Sequence, residues 1–447
     1  MRTLKNFPYE HILIFGLART GTAVAHLLLE SGLQIRINDR SSKETKEVKA
    51  LQQKGAEVIL GSHPISVLDG IQLIIKNPGI PYEHEIIQIA IKRDIPIITD
   101  IELTNKMFNG SITGITGSNG KTTTTYLVEH MLKADHQHVQ IAGNIGIPVC
   151  EVAPIIDEET KLILELSSFQ LLGIQSFRPQ ISVLLNLYDA HLDYHQTVDN
   201  YQQAKFNLFK NQTADDYIVF NADDEEINEA VKWSKAQIIP FSTTEKQPDG
   251  AWLDQNKIYF KEEEIIEREK IVLVGEHQLE NILAAISVAK LHKVSNEAIR
   301  KTLTTFSSVK HRLQFVKNIN DRLFYNDSKA TNTLATKNAL SAFSEPLILL
   351  AGGLDRGETL KDLEPYLTKV KHIVVFGENA NKFVDLAKVN NIPVTKVNNV
   401  TEAVPKAYQI SNRKDIILLS PASASWDQYV SFEERGDMFI KAVHNLI

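Results

Sequence analysis

The most constraining feature of the sequence is a glycine-rich loop at residues 117–122, GSNGKT, between an apolar run and a helix-forming segment. Glycines let backbone N–H groups and a helix N-terminus face an anion, while a lysine reaches terminal phosphates and a hydroxyl reaches magnesium. Ile115 stands where the full P-loop pattern has its first glycine. We therefore predict a shortened phosphate loop that uses Lys121 and Thr122. The alternative is a glycine turn with an incidental lysine.

The same alternation of apolar strand, polar loop and helix recurs along the chain, and it is typical of parallel sheets covered by helices. A chain of 447 residues is too long for one hydrophobic core. We predict an α/β protein of three domains, each a largely parallel sheet with flanking helices. They are a Rossmann-like N-terminal domain (1–99), a P-loop-type central ATPase domain (100–306) and a Rossmann-like C-terminal domain (307–447).

The composition argues against several classes of partner. Lysine and arginine number 48 against 55 acidic residues, which gives a net charge of −7 and no basic block for a nucleic acid. The single cysteine, Cys150, excludes an internal disulfide framework and is expected to be a small buried residue. The N-terminus has no signal-peptide pattern, and no run approaches membrane-spanning length. We therefore expect a cytoplasmic protein without a nucleic-acid or membrane partner.

The first domain resembles a dinucleotide-binding unit. Gly16 and Gly21 lie in the turn after the first predicted strand, and Asp39 ends the second strand at the position of a ribose-binding acid. Ala18 replaces the middle glycine of that pattern. The segment 77–81, NPGIP, follows another strand and either lines the ligand crevice or is only a rigid turn. A nucleotide is predicted here, as cofactor or as substrate.

The central domain carries ionisable residues near its predicted strand ends. Glu165 ends an apolar strand and favours magnesium over the alternative of a carboxylate facing water. His191 is preferred over His195 as a functional residue, because magnesium chemistry needs few histidines. Taken alone, Lys205 reads as a surface lysine with a buried stem. Asn281 either binds an adenine or caps a helix.

In the third domain, polar or glycine-rich loops follow three predicted strands, at 326–332, 351–357 and 420–427. Such loops beyond buried strands are where α/β proteins hold their active sites. We expect one site built between the domains.

At this point an ordered set of motifs resembles the Mur ligases of bacterial cell-wall synthesis and their folylpolyglutamate synthase relatives. Several blocks are weak individually, but the ordered set is highly specific, and it spans the chain. The blocks are 117–122, GNIG at 143–146, ELSSFQ at 165–170, GEH at 275–277, HR at 311–312, NDSKATN at 326–332 and GG at 352–353. SPA at 420–422, SWDQ at 425–428 and FEERG at 432–436 most resemble the D-glutamate-adding branch.

The resemblance implies an ATP-dependent amide ligase that adds D-glutamate to UDP-N-acetylmuramoyl-L-alanine through an acyl phosphate, releasing ADP and phosphate, in peptidoglycan precursor synthesis. It implies UDP in the first domain, ATP in the second and the amino acid in the third. It also implies two magnesium ions and a carbamylated Lys205, because a carbamate is an oxygen ligand whereas an ammonium repels the metal. His195 and Trp426 match no family position, and we assign them no role.

The resemblance also implies a set of site residues. The catalytic group is Lys121, Glu165, His191 and Lys205, and the metal group is Thr122, Glu165, His191 and the carbamate of Lys205. The ATP group is Gly117, Ser118, Asn119, Gly120, Lys121, Thr122, Thr123, Asn281, Arg312, Asp327 and Lys329. The UDP-substrate group is Gly16, Leu17, Asp39, Arg40, Gly79, Asn144 and His191, and the D-glutamate group is Arg356, Ser425 and Phe432.

Two other functions stay open at this stage. An NAD-dependent dehydrogenase would use the first domain, although Ala18 and the second phosphate loop weigh against it. An ATP-gated regulatory or scaffold protein would lack ligase chemistry, and the presence of Glu165, His191 and Lys205 argues against that loss. A monomer is expected, and amino-acid stereochemistry depends on the resemblance alone.

Overall fold

The structure is a computed structural model that describes residues 2–273, 275, 277–306 and 310–446. Glu276, which belongs to one of the family motifs, lies outside the described residues. The chain forms two compact units. One comprises the chain up to Arg268 together with Glu280–Thr302, and the other comprises Glu269–Leu279 together with the chain from Leu303 onward.

The N-terminal part of the first unit is a five-stranded parallel sheet. Its strands are β1 (His11–Phe15), β2 (Gln34–Asp39), β3 (Glu57–Leu60), β4 (Leu73–Lys76) and β5 (Ile97–Ile98), and its main helices are α1 (Arg19–Glu30), α2 (Lys46–Gln53) and α3 (Glu85–Lys92). The spatial order is β3-β2-β1-β4-β5. Because the order reverses between β1 and β4, the loops after these two strands border the crevice in which such sheets bind ligands.

The central sheet has nine strands in the order β14-β13-β12-β11-β10-β9-β6-β8-β7. They are β6 (Ile112–Thr116), β7 (Val139–Gly143), β8 (Lys161–Glu165), β9 (Ile181–Leu184), β10 (Tyr217–Asn221), β11 (Gln237–Ser242), β12 (Ala251–Asp254), β13 (Lys257–Phe260) and β14 (Glu263–Glu267). The first seven of these strands run parallel, and β12, β13 and β14 form antiparallel pairs.

The helices along this part of the chain are α4 (Thr104–Met107), α5 (Lys121–Ala134), α6 (Val149–Val152), α7 (Ser168–Leu171), α8 (Leu192–His195), α9 (Val198–Phe206), α10 (Glu225–Val231), α11 (His277–Leu291) and α12 (Asn296–Thr305). Short 3-10 helices occur at Ile65–Leu68, Asp100–Leu103, Asn207–Phe209, Arg268–Lys270 and Lys361–Lys369. Helix α9 therefore ends as an α-helix at Phe206, and the chain continues as a 3-10 turn to Phe209.

The second unit is built on a six-stranded sheet in the order β15-β16-β20-β17-β18-β19. The strands are β15 (Gln314–Ile319), β16 (Arg322–Asn326), β17 (Leu347–Gly352), β18 (Val370–Phe376), β19 (Val394–Lys396) and β20 (Ile416–Leu419). The helices are α13 (Thr333–Ser341), α14 (Ala380–Val389), α15 (Val400–Ile410) and α16 (Phe432–His444). Only β15 and β16 pair antiparallel.

Strand β17 shows why the strand sequences are continuously apolar. Leu347 and Leu349 pack into one hydrophobic cluster, whereas Ile348 and Leu350 pack into another on the opposite face. Because helices cover both faces of a parallel sheet, neither face has room for polar side chains. The chemistry is therefore left to the strand ends and the loops beyond them.

The predicted α/β class and the three largely parallel sheets are confirmed. The N-terminal and central sheets share one compact unit, and the exact domain boundaries stay a prediction. Cys150 is buried, as expected. Within the described part of the chain, every helix is too short or too polar to span a bilayer.

Candidate functional site

The phosphate loop, residues 117–122, connects β6 to α5. Gly120 has φ +82°, and a Cβ there would overlap Oδ1 of Asn281, so the close approach of these two segments requires glycine. Asn281 lies inside α11 and is 3% exposed, so the helix-capping alternative is wrong. The Thr124 hydroxyl donates to the same Oδ1 at 3.3 Å. Asn281 thus supports the start of α5 from the side.

The backbone of the loop is held by Asn186, which follows β9. The N–H of Ser118 donates to the Asn186 carbonyl at 3.0 Å, and the N–H of Asn119 donates to its Oδ1 at 2.8 Å. The first-turn N–H groups of an α-helix lack partners within the helix, and in α5 these belong to Lys121, Thr122 and Thr123. The first turn of α5 is therefore the part of the loop suited to an anion.

Two lysine amines converge on one carbonyl of this loop. The Nζ of Lys121 donates to the Gly117 carbonyl at 2.8 Å and to the Ser118 carbonyl at 3.0 Å. The Nζ of Lys205, on α9, donates to the Gly117 carbonyl at 2.9 Å. Lys205 is 1% exposed, so its reading as a surface lysine is wrong. Burial, with the charge of Lys121, lowers the pKa of Lys205 well below its ordinary value.

Glu165 ends β8 and is 2% exposed, so the alternative of a carboxylate facing water is wrong. Its Oε1 accepts from the Asn144 side chain at 2.9 Å, whereas its Oε2 is buried and has no hydrogen-bond partner among the residues that the structure describes. A buried carboxylate oxygen without a partner is costly, and a cation would satisfy it. Among the described residues, however, no group of three or more His, Cys, Asp and Glu could hold a metal. A magnesium ion here would need further oxygen ligands from substrate, water or a carbamate.

The two histidines of the loop before α9 have different environments. His191 is exposed, has φ +56°, and its ring lies 5.0 Å from that of Phe169. His195 is buried, stacks on Phe169 and lies within 2.9 Å of the Ser168 hydroxyl through Nε2. Burial lowers the pKa of His195 to about 4, which keeps the ring neutral. His195 therefore packs the site, while His191 stays open to a ligand.

At the edge of the N-terminal sheet, the structure brings most of the predicted UDP residues together. The N–H of Leu17 donates to the Asp39 carboxylate at 2.6 Å. Gly16 has φ +95°, and a Cβ there would lie 2.9 Å from the Cβ of Asn77. The N–H of Gly79 donates to Oδ1 of Asn77 at 3.2 Å. The turn after β1 and the loop after β4 are thus neighbours, and Arg40 is exposed beyond β2.

In the second unit, Asp327 follows β16 and accepts from the Leu313 N–H at 3.1 Å and the Ser420 hydroxyl at 2.9 Å. Burial raises the pKa of Asp327 to about 7, and the charge of Arg312 acts in the opposite direction. The Nζ of Lys329 lies 5.5 Å from the ring centre of Phe432. These residues of the predicted ATP and D-glutamate groups therefore lie at one end of this sheet.

Two other residues predicted to bind D-glutamate lie in or against the loop after β20. The Arg356 guanidinium lies 4.9 Å from the ring centre of Trp426, which gives that tryptophan a contact that the sequence did not predict. Ser425 is 1% exposed, and within the described part of the chain its buried hydroxyl has no hydrogen-bond partner. An unsatisfied buried hydroxyl is suited to a polar ligand.

Comparison with known proteins gives the same family along the whole chain. The Mur ligase MurD-like N-terminal domain matches residues 10–99, the Mur ligase middle domain matches 115–289, and the Mur ligase glutamate ligase domain matches 311–423. The chain belongs to the Mur ligase family. The family resemblance read from the motifs is confirmed.

The curated relatives of this Mur ligase include two proteins named UDP-N-acetylmuramoylalanine–D-glutamate ligase. The one from Oceanobacillus iheyensis is 53% identical over 448 residues, and the one from Bacillus cereus is 51% identical over 450, with 100% of each chain covered in both cases. Among solved structures, MurC from Thermotoga maritima has a TM-score of 0.55 at 18% identity, covering 97% of this chain and 99% of that one. A UDP-N-acetylmuramoyl-L-alanyl-D-glutamate–2,6-diaminopimelate ligase has a TM-score of 0.59 at 16% identity, covering 97% and 92%. These distant structures support the fold.

Three residues of this Mur ligase are central to the geometry but were not predicted from its sequence. Asn186 holds the phosphate loop, as described above. Lys76 is buried at the end of β4, and Arg435 is fully buried on α16. The sequence offered one signal for Lys76 and Arg435, namely a basic residue where an apolar one is expected, at a strand end or on the inner face of a helix. This signal can be used only when it is known which face is buried.

Proposed function

We propose that this chain is an ATP-dependent ligase that joins D-glutamate to UDP-N-acetylmuramoyl-L-alanine, releasing ADP and phosphate, in peptidoglycan precursor synthesis. The observation that carries the proposal is the full-length identity of 51–53% to relatives named for this ligase activity. The geometry agrees with it, because a phosphate loop, two convergent lysines and a buried carboxylate suit phosphoryl transfer to a carboxylate. The product would be an acyl phosphate that the amine of D-glutamate attacks.

In this mechanism the chain contributes positioning and charge more than covalent chemistry. The first turn of α5 binds the ATP phosphates, and Lys121 moves from the Gly117 carbonyl to the transferring phosphoryl group. Bound magnesium would neutralise charge that develops on that group. Glu165 would hold the metal through one charged oxygen, Thr122 and His191 would be further ligands, and Asn144 orients Glu165 through its hydrogen bond.

Lys205 takes a further role in the proposal. A neutral amine, and not an ammonium, reacts with carbon dioxide, and burial beside Lys121 favours the neutral form. In this reaction Nζ forms a bond to the carbon of carbon dioxide and one amine proton is released to water. The resulting carbamate would carry negative charge close to the Gly117 carbonyl and would be an oxygen ligand for a metal. Two magnesium ions and a carbamylated Lys205 are therefore part of the proposal, as are the monomeric state and the cytoplasmic location.

The remaining site residues are assigned to ligands in groups. Gly16, Leu17, Asp39, Arg40 and Gly79 are proposed to bind the UDP-linked substrate. Arg356, Ser425 and Phe432 are proposed to bind D-glutamate, and Asn281, Arg312, Asp327 and Lys329 are proposed to serve ATP.

The test is phosphate release in the presence of ATP, magnesium and UDP-N-acetylmuramoyl-L-alanine. D-Glutamate is compared with L-glutamate, L-lysine, meso-diaminopimelate and no amino acid. We expect release that depends on D-glutamate. Dependence on another amine would keep the family and refute the amino-acid assignment, whereas no release under any condition would refute the ligase.

A further inference from the structure

Lys76, the last residue of β4, is 1% exposed and has no part in the mechanism above. Its Nζ donates to three carbonyls of the loop that follows, those of Asn77 at 3.3 Å, Pro78 at 3.2 Å and Ile80 at 2.7 Å. It also donates to the Tyr194 hydroxyl at 3.1 Å. All four partners are neutral. The loop of residues 77–80 thus wraps around a buried amine.

Tyr194 reaches this loop from α8 in the central part of the same unit. Its hydroxyl lies 3.0 Å from the Pro78 carbonyl and 2.9 Å from the Ile80 carbonyl, so it shares two acceptors with Lys76. Along the chain, Tyr194 stands between the buried His195 and the exposed His191. The amine and the phenol therefore join the strand-end loop of the N-terminal sheet to the helix that follows His191.

This arrangement is expensive for a purely structural contact. Burial lowers the pKa of Lys76 to about 7, with the charge of Glu83 acting in the opposite direction. An apolar side chain would fill the same position without the desolvation of an amine. The amine also sets the orientation of the loop, because it bonds three of its carbonyls, those of Asn77, Pro78 and Ile80, and holds them facing inward. Gly79, the exposed residue of that loop, is fixed by the same contacts and by the Asn77 side chain.

We propose that Lys76 is a positioning residue for the UDP-linked substrate. Through its bonds to the loop and to Tyr194, it fixes the position of Gly79 relative to His191. The sugar end and the reacting carboxylate of the same substrate molecule can then bind at the same time. This inference rests on the proposed function, because it assumes that the loop after β4 contacts the UDP-linked substrate.

The experiment compares Lys76→Met, Tyr194→Phe and the double variant with the wild type. Lys92→Met is the matched control, because Lys92 is exposed on α3. Binding of UDP-N-acetylmuramoyl-L-alanine is measured by calorimetry without ATP, and KM is measured separately for each of the three substrates. Thermal unfolding checks that each variant is folded.

We expect Lys76→Met to raise the Kd and KM for the UDP-linked substrate by about tenfold or more, the scale of one lost charge-assisted hydrogen bond. The KM for D-glutamate should not change. Tyr194→Phe should act in the same direction to a smaller extent. The effects of the two changes should not add, because both side chains bond the same two carbonyls.

Wild-type Kd and KM values in both folded single variants would overturn this inference alone, even if their melting temperatures fall. An equal rise in the KM for D-glutamate would overturn it as well, because a general loss of structure would then explain the result. If Lys76→Met does not fold, Tyr194→Phe decides, since it removes a single oxygen. A wild type that binds no UDP-linked substrate would refute the proposed function together with this inference.

Discussion

Replacing Glu165 by glutamine is the sharpest test of the central site, because the change preserves shape and removes charge. The glutamine oxygen can still accept from Asn144, so the bond of 2.9 Å that orients residue 165 is retained. The buried Oε2, which has no hydrogen-bond partner, becomes an uncharged amide nitrogen. Leaving a charged group unsatisfied costs more than leaving a neutral one. Without magnesium, the Glu165→Gln variant should therefore be at least as stable as the wild type.

The effect on turnover should be opposite. A metal bound through this carboxylate stabilises transition-state charge by several kcal/mol, and a loss of about 3–5 kcal/mol corresponds to a decrease of about 10²–10⁴-fold in kcat. Phosphate release is measured as a function of magnesium concentration, and thermal unfolding is measured with and without magnesium and ADP. Glu159→Gln, an exposed acid on the same segment before β8, is the control and should resemble the wild type.

Two results would refute the reasoning about Glu165. One is a kcat within a few-fold of the wild type at low magnesium, which would mean that the carboxylate does not serve the metal. The other is a large loss of stability in the absence of magnesium, which would mean that the carboxylate has a structural partner and that its free oxygen carries no chemical role.

The remaining predictions concern four other residues. Lys121→Ala should abolish ATP-dependent phosphate release, and retained turnover would remove the phosphate-loop argument. Lys205→Ala should lose activity that added short carboxylic acids partly restore, and full activity without them would count against the carbamate. Arg356→Ala should raise the KM for D-glutamate, whereas an unchanged KM would move that contact elsewhere. Burial raises the pKa of Asp100 from its ordinary 3.8 to about 7, so the folded chain binds this proton more tightly than the unfolded chain, and the free energy of unfolding falls as pH rises from 3.8 to about 7. Asp100→Asn should therefore raise the melting temperature most at pH 8 and less at pH 5, and no gain at pH 8 would contradict this.

The features that the sequence predicted correctly are set by local physics. The loop at 117–122 needs glycine where the backbone turns, and its strand and helix are adjacent in the chain, so the pattern is complete within about a dozen residues. Lys205 shows where local reasoning fails. The sequence of its helix has no strong amphipathic pattern. The Lys205 side chain turns inward because its amine bonds the Gly117 carbonyl, which lies 88 positions earlier in the chain. Its role came only from the family resemblance.

Lys76 is a second residue whose burial could not be predicted from the local sequence. A lysine after three apolar residues at the end of a strand is typical of a side chain that leaves the sheet for solvent. In the structure it turns inward, because the carbonyls of its own loop and a tyrosine 118 positions later provide acceptors. No periodicity within β4 contains that information. The chemistry of this position therefore had to be found from the folded chain.

In the second unit, Arg435 is likewise a buried basic side chain that bonds the backbone of several loops. Its guanidinium is fully buried and donates to the Ser328 carbonyl at 2.9 Å, to the Ser328 hydroxyl at 3.0 Å and to the Ser423 carbonyl at 3.0 Å, with the Gly352 carbonyl at 3.4 Å. One side chain therefore ties together the segments that follow β16, β17 and β20. Burial lowers the pKa of Arg435 to about 10, which leaves the group charged at neutral pH.

In both units, then, a buried basic side chain organises strand-end loops by bonding backbone carbonyls and hydroxyls. A carboxylate at hydrogen-bond distance would cancel the charge, whereas neutral acceptors orient the loops and leave the positive potential in place. Such a potential attracts anions to the carboxyl ends of the strands. Every proposed substrate of this chain is an anion, since the UDP-linked sugar, ATP and D-glutamate carry phosphates or carboxylates. The cost of burying Arg435 is thus offset where the loops must be both rigid and electropositive. Lys76, whose pKa is lowered to about 7, carries its charge in only part of the molecules at neutral pH and contributes mainly the rigidity of its loop.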